Sequence, residues 1–317
     1  MLTAYVLLDG FDLGVAAISP MVARTERERA AAMRSIGPFW NGNEVWLIAA
    51  GGSLFALFPL AYAVSFSGFY LPFMVLLWLL MFRGIAMELR DHLESDLWHT
   101  FWDVAFTASS ALLIFVFGVA LGNLLRGVPI GPDGYFQGTF AFLLNPYALM
   151  VGAFSLLVLG LHGATWLTMR VEGPVALRAA RVVQRGWWVI LVAYVLVTTL
   201  SFAVRGAPTH AFWLLAMPFA SFAALLALGV SARSGRSAIA FVCSSAFLVT
   251  LLVEVAGSLF PYLLPGYPAG AGGVSIYAAA PSPVALLSAL IATGVGVVAV
   301  IVYASLVFRG MLKKVAS

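Results

Sequence analysis

Between Glu44 and Arg83 the chain runs for 38 residues without a single Asp, Glu, Lys or Arg. A water-soluble domain carries about one charged residue in four, so a run of this length has to face something other than water. The pattern repeats along the chain. Asp103 to Arg126 encloses 22 uncharged residues, Asp133 to Arg170 encloses 36, Arg185 to Arg205 encloses 19 and Arg205 to Arg233 encloses 27. From Arg236 to Arg309 the one charge is Glu254. Over all 317 residues 62% are hydrophobic and 9% charged, with a mean hydropathy of +1.02. The apolar residues form blocks rather than alternating every second position, which argues for an all-α integral membrane protein and against a β-barrel.

A crossing helix takes roughly 20 apolar residues, which divides the chain into about nine spans: 1-18, 44-65, 68-88, 103-125, 146-169, 186-204, 211-231, 238-261 and 284-308. The 38-residue run holds two of them, with Ser65-Phe66-Ser67-Gly68 as the turn. Pro132 to Asn145 reads as loop, and Pro146 opens the following span at its first turn. The stretch Pro265-Gly266-Tyr267-Pro268-Ala269-Gly270 separates the last two spans.

The basic residues give an orientation. With the N-terminus outside, the connectors after spans 1, 3, 5 and 7, together with the C-terminal tail, hold 15 of the 17 Lys and Arg; Arg126 and Arg205 fall elsewhere. This is the positive-inside pattern. The net charge of +4 therefore reports topology, and no nucleic-acid partner is implied. Connectors are short, so residues 1-317 read as a single polytopic membrane domain, and any reaction site lies within the membrane or is shared with a partner. No basic n-region marks a cleavable signal peptide. The apolar part of span 1, roughly 17 residues, reaches about 26 Å against a hydrocarbon core of ~30 Å. A translated start upstream of Met1 is expected, or a first helix held short by its neighbours.

Several chemistries are excluded by counting. The single cysteine, Cys243, rules out an intrachain disulfide, a Cys-rich zinc site or an iron–sulfur cluster. Four histidines, His92, His99, His162 and His210, are too few for a haem–copper core. No P-loop, Gly-x-Ser-x-Gly or zinc signature occurs, and no metal site or catalytic residue is assigned to this chain alone.

What remains are polar residues inside the apolar runs, where charge is costly. Asp9 and Asp12 in Leu8-Asp9-Gly10-Phe11-Asp12-Leu13-Gly14 lie three residues apart, on one face of a helix. Gly10 and Gly14 form a separate ridge that lets a neighbouring helix approach closely. Proton handling is the functional reading of the two acids; a cap on a neighbouring helix is the bland one. Asn41 and Glu44, in Trp40-Asn41-Gly42-Asn43-Glu44-Val45-Trp46, open span 2, where an N-cap and a first-turn acid explain them equally well. Arg83, Glu88 and Asp103 read as anchors near the cytoplasmic boundary. Glu254 stands alone in span 8, neutral or paired across helices. His162 reads as a hydrogen-bonding residue between helices, since a bis-histidine haem needs a second deep histidine; ligation together with Met or a partner's histidine is the alternative. Glu44, Asp103, His162 and Glu254 are thus candidate supporting residues. Two function classes stay open at this point: a stand-alone proton-coupled membrane transporter, or a partner subunit of a redox complex.

The runs Leu8 to Gly14, Trp40 to Leu47 and Gly51-Gly52-Ser53-Leu54-Phe55 resemble subunit II of the cytochrome bd-type quinol oxidases. Ser67-Gly68-Phe69-Tyr70, Phe82-Arg83-Gly84, Gly122 to Pro129, Leu144-Asn145-Pro146 and His162-Gly163-Ala164-Thr165 continue the resemblance in order along nearly the whole chain. It implies two four-helix bundles plus one peripheral helix. It also implies a haem-free partner of subunit I, which carries haems b and d, oxidises quinol and reduces oxygen to water. Asp9, Asp12 and Asn41 would then lie on a cytoplasmic proton route at the subunit interface, in a bacterial or archaeal cytoplasmic membrane. Asn41 departs from the Asp often found there, and the family's first helix starts further upstream. The resemblance leaves open the quinone type, a bound lipid or quinone, and a small accessory subunit.

Overall fold

The computed structural model describes residues 1–131, 134–205, 216–268, 270–311 and 315. His210, Asp133, Lys313, Lys314 and the first five residues of the expected span 211-231 lie outside the described residues. Eight helices among those described are long and apolar enough to cross a membrane: α1 (Leu2–Val22), α5 (Tyr70–Leu89, continued by a 3₁₀ turn to His92), α6 (Asp96–Arg126), α8 (Pro146–Arg170), α9 (Pro174–Arg205), α10 (Ala216–Arg233), α11 (Ser237–Leu259) and α13 (Pro283–Met311). Between them run α2 (Glu26–Ile36), α3 (Trp40–Leu57), α4 (Pro59–Gly68), α7 (Phe140–Leu143) and α12 (Ile276–Ala279). The all-α membrane architecture expected from the sequence is what the chain adopts.

The expected span 44-65 differs in detail. It is two helices, α3 and α4, broken at Phe58, whose φ of −132° and ψ of 61° leave the helical region just before Pro59. Proline has no amide hydrogen and disfavours a helical residue before it, so it begins a helix more readily than it continues one. The turn anticipated at Ser65-Phe66-Ser67-Gly68 is helical, and the chain bends one residue later, at Phe69.

The core is organised around α1 and α8. Helix α8 packs against α6, α1, α9 and α11, and α1 also meets α6 and α3. Both contain a stripe of glycines, which allows close approach without a hydrophobic driving force. Phe11 of α1 stacks on Trp166 of α8 with ring centroids 4.0 Å apart, and Phe39 and Phe241 close the same aromatic cluster edge-on or tilted. At the far extreme, no residue of α13 between Pro283 and Val300 is buried, so this helix lies at the periphery.

The two ends of the bundle differ. At the arginine-rich end, α2 is an amphipathic helix started by a capping box: the Thr25 hydroxyl accepts from the Glu28 amide, and the Glu28 carboxylate accepts from the Thr25 amide. At the opposite end a two-stranded antiparallel hairpin, β1 (Tyr262–Pro265) and β2 (Gly273–Ser275), covers the loop that follows α6. Asn123, fully buried, donates to the Leu143 carbonyl at 2.7 Å and accepts from Asn145, which itself caps α8, so this loop is tied down by side-chain amides.

Candidate functional site

Asp9 and Asp12 project from the middle of α1, and both are fully buried. They do not share a partner. Asp9 receives two hydrogen bonds from Arg83 of α5, Nη2 to Oδ1 at 2.6 Å and Nη1 to Oδ2 at 3.1 Å. The same Nη1 donates to Glu44 Oε1 of α3 at 2.7 Å. Asp12 instead accepts at Oδ2 from Asn43 Nδ2, 2.7 Å away, and that amide also reaches the Leu8 carbonyl at 3.1 Å. Asp12 Oδ1 has no hydrogen-bond partner among the described residues. Burial is graded: Asp9, Asp12 and Arg83 are 0% exposed and Asn43 4%, whereas the Glu44 side chain is 26% exposed.

The fork-shaped pairing of guanidinium and carboxylate is the strong form of this interaction. In an apolar surrounding the guanidinium needs it, because an unpaired buried charge costs several kcal/mol. Arg83 lies seven residues before Arg90, so the cluster sits about 10 Å in from the arginine-rich end. Arg83 was expected to be an anchor near that boundary; it is instead the cation at the centre of the acids. A lone Arg in an apolar run signals such a role, but sequence spacing does not say which acid answers it.

Asn41 is not part of this cluster. It is exposed, while Asn43, two positions on, faces α1. Two helical steps turn a side chain by about 200°, so the two asparagines cannot serve the same neighbour. Asn43 was not singled out by the sequence, although it belongs to the same short motif.

The other expected residues lie elsewhere. Asp103 is at the arginine-rich end, where it accepts from Arg90 Nε at 2.7 Å and pairs with Arg29 Nε at 2.9 Å; Arg90 also bonds Glu26. Next to this network Glu28 accepts from the Arg24 amide at 2.6 Å and pairs with Arg178 at 2.5 Å. Arg178, aided by the Arg24 amide, holds the Glu28 carboxyl down to a pKa of about 2.

His162 is fully buried in α8. Its Nε2 lies 3.1 Å from the Leu7 carbonyl and its Nδ1 lies 2.8 Å from Ser244 Oγ. A carbonyl only accepts, so Nε2 carries hydrogen, and the neutral ring takes the Ser244 proton at Nδ1. The ring also stacks on Phe241 at 4.9 Å. Both nitrogens are engaged, and neither is free to ligate a haem iron; the ring does not fit that role as placed. Glu254 lines a separate cavity of about 70 Å³ between α6, α8, α9 and α11, with Ser155, Ser201 and Arg205. Its Oε2 has no hydrogen-bond partner among the described residues. Arg205 there donates to the carbonyls of Ser258 and Leu259 rather than to the acid.

Comparison with known proteins follows the same outline. A family model described as cytochrome bd terminal oxidase subunit II matches residues 1–311. The chain is 33% identical over 299 residues to the cytochrome bd-I ubiquinol oxidase subunit 2 of Escherichia coli K12, covering 84% of this chain and 79% of that one. It is 35% identical over 201 residues to the cytochrome bd ubiquinol oxidase subunit 2 of Bacillus subtilis, covering 63% and 60%. In fold it is similar to a chain of the bd oxidase from Geobacillus thermodenitrificans, with a TM-score of 0.80, 17% identity and coverage of 98% and 95%.

Proposed function

Because this chain belongs to the cytochrome bd terminal oxidase subunit II family, and so is a membrane subunit of a quinol oxidase complex, we propose that it is the haem-free partner of a haem-bearing subunit I and supplies a proton route to it. Haems b and d, held by subunit I, would supply the redox chemistry that couples quinol oxidation to the reduction of oxygen to water. This chain holds that subunit in place and delivers protons from the cytoplasm, the side to which its arginine-rich end is assigned by the positive-inside pattern.

One observation carries the proton route: a buried cluster of three carboxyls with one guanidinium, in which Arg83 bonds Asp9 and Glu44 while Asp12 is held by the neutral amide of Asn43. A structural ion pair needs one acid for one base. Surplus acids inside an apolar bundle are costly to keep, and groups that change protonation justify the cost. The haem-free reading draws support from His162, the deep histidine, whose two nitrogens are committed to Leu7 and Ser244.

Affinity purification through this chain, followed by an absorption spectrum and intact masses, tests the assignment. The expected product is coloured and contains a second chain of comparable size that carries the haems. A colourless single-chain preparation with transport activity overturns it.

A further inference from the structure

Resting on that proton route, we infer that its acids have unlike duties: Asp9 is the permanent counter-ion of Arg83, whereas Asp12 and Glu44 exchange the proton, with Glu44 as its point of entry.

Each part follows from the bonding. Both Asp9 oxygens accept from charged donors at 2.6 and 3.1 Å, and protonating either one would break a bond to a fully buried guanidinium. Asp12 differs on each count. It has one neutral donor, Asn43, on Oδ2, and a second oxygen, Oδ1, fully buried and without a partner. A buried carboxylate oxygen in that position is under-satisfied, and a proton on it removes the uncompensated charge. The charged groups acting on Asp12 are Asp9 on its own helix, Arg83 from α5 and Glu44 from α3. Helix α8 brings His162 toward α1, but its nitrogens are taken by Leu7 and Ser244.

Glu44 is the member of the cluster with surface access, and its Oε1 is already bonded to Arg83. A proton arriving on Glu44 leaves it when the O–H bond there breaks and one on Asp12 Oδ1 forms. Negative charge moves the other way, from Asp12 to Glu44, and at both stages it faces the same fixed guanidinium. Asn43 is a positioning residue: by holding Oδ2 it leaves Oδ1 as the atom that takes the proton. Asp9 balances Arg83 throughout, so the cluster keeps its cation while the proton passes between Glu44 and Asp12.

The test uses the purified two-subunit complex, with haem content, quinol-dependent oxygen consumption and turnover-dependent infrared difference spectra of protonated carboxyls. Asp12→Asn and Glu44→Gln are each expected to delete a component of the carboxyl band and to slow turnover at least ~10-fold, with haem content unchanged. Asp9→Glu keeps the charge opposite Arg83, so the complex assembles, and it is expected to leave the band where it is. A component that shifts in Asp9→Glu, or a band that survives Asp12→Asn intact, overturns the division of duties. An Asp12→Asn/Glu44→Gln double variant that turns over at the parental rate with every haem present overturns more, because it removes the proton route on which the division rests.

Discussion

Gly14 of α1 and Gly163 of α8 lie backbone against backbone: a Cβ on Gly163 would come 2.3 Å from the Gly14 carbonyl carbon, and one on Gly14 would come 2.0 Å from the Leu159 carbonyl oxygen. No carbon sits that close to backbone atoms, so a methyl group at either position has to push the helices apart. The acids of α1 are aimed from the opposite side of this contact. Close packing on one face is what holds Asp9 and Asp12 at a fixed distance from α3 and α5.

Gly163→Ala should therefore destabilise the assembled complex by about 1–3 kcal/mol, the usual cost of overpacking. The measurement is the thermal midpoint of the purified complex, with Gly52→Ala as the control, since nothing lies within 4 Å of a Cβ at Gly52. Equal midpoints for the two variants would show that α1 and α8 have room to adjust.

His162→Ala should leave the haem absorption bands of the complex intact while lowering its stability. The substitution deletes the bonds to Leu7 and Ser244 and the stacking on Phe241, and leaves the buried Ser244 hydroxyl without its ring partner. Such losses cost about 1–3 kcal/mol. Disappearance of one haem band from a folded complex would mean that the ring leaves these partners and ligates iron.

Glu28 gives the arginine-rich end a dependence on acid. Its pKa, about 2 when folded, lies below the unfolded value near ~4.3, so the pairing with Arg178 contributes fully above the unfolded value. That contribution fades as pH falls from there toward 2. Thermal unfolding of the complex from neutral to acid pH should show a fall in this window that Glu28→Gln reduces, together with a lower midpoint at pH 7. Identical pH profiles for the two proteins would assign the acid sensitivity to other groups.

Asn41→Asp should be accepted with a change in stability within about 0.5 kcal/mol, as for most exposed positions. Its side chain lies away from Asp12 and Asn43, so a carboxylate there adds a titrating group without disturbing Arg83. Haem content should stay at the parental level and turnover at high pH should rise, because an amide cannot serve as a base and a carboxylate can. Loss of the haem-bearing partner would place this position in a tight contact between the subunits.

Much of the bundle was legible because its signals are local. Runs of uncharged residues marked the long helices, and the three-residue spacing of Asp9 and Asp12 placed both on a face apart from Gly10 and Gly14. Helix α2 carries an equally local signal, Thr25-x-x-Glu28, set among arginines whose charge pattern dominates that stretch. The break at Phe58 was hidden because Pro59 stands inside an apolar run where either a kink or a fresh start is allowed. The hairpin at Tyr262–Pro265 and Gly273–Ser275 was hidden by a proline- and glycine-rich composition that reads only as loop. The site itself was half legible. Acids inside a span announce themselves by their cost, but Arg83 meets Asp9 across 74 residues, and Asn43 rather than Asn41 meets Asp12, through helix rotations that no spacing along one helix reports.

That separation of 74 residues has a temporal side as well. A ribosome delivers α1 long before it delivers α5, so Asp9 reaches the lipid without its cation. A carboxylate at the centre of a lone helix raises the cost of insertion by about 3 kcal/mol, and until Arg83 emerges the acid has to travel protonated or stay near the headgroups. The N-terminal helix is thus an incomplete insertion unit by itself. Its stable commitment to the bilayer is therefore expected only once α5 arrives, so that insertion of the first helices is completed by one arginine.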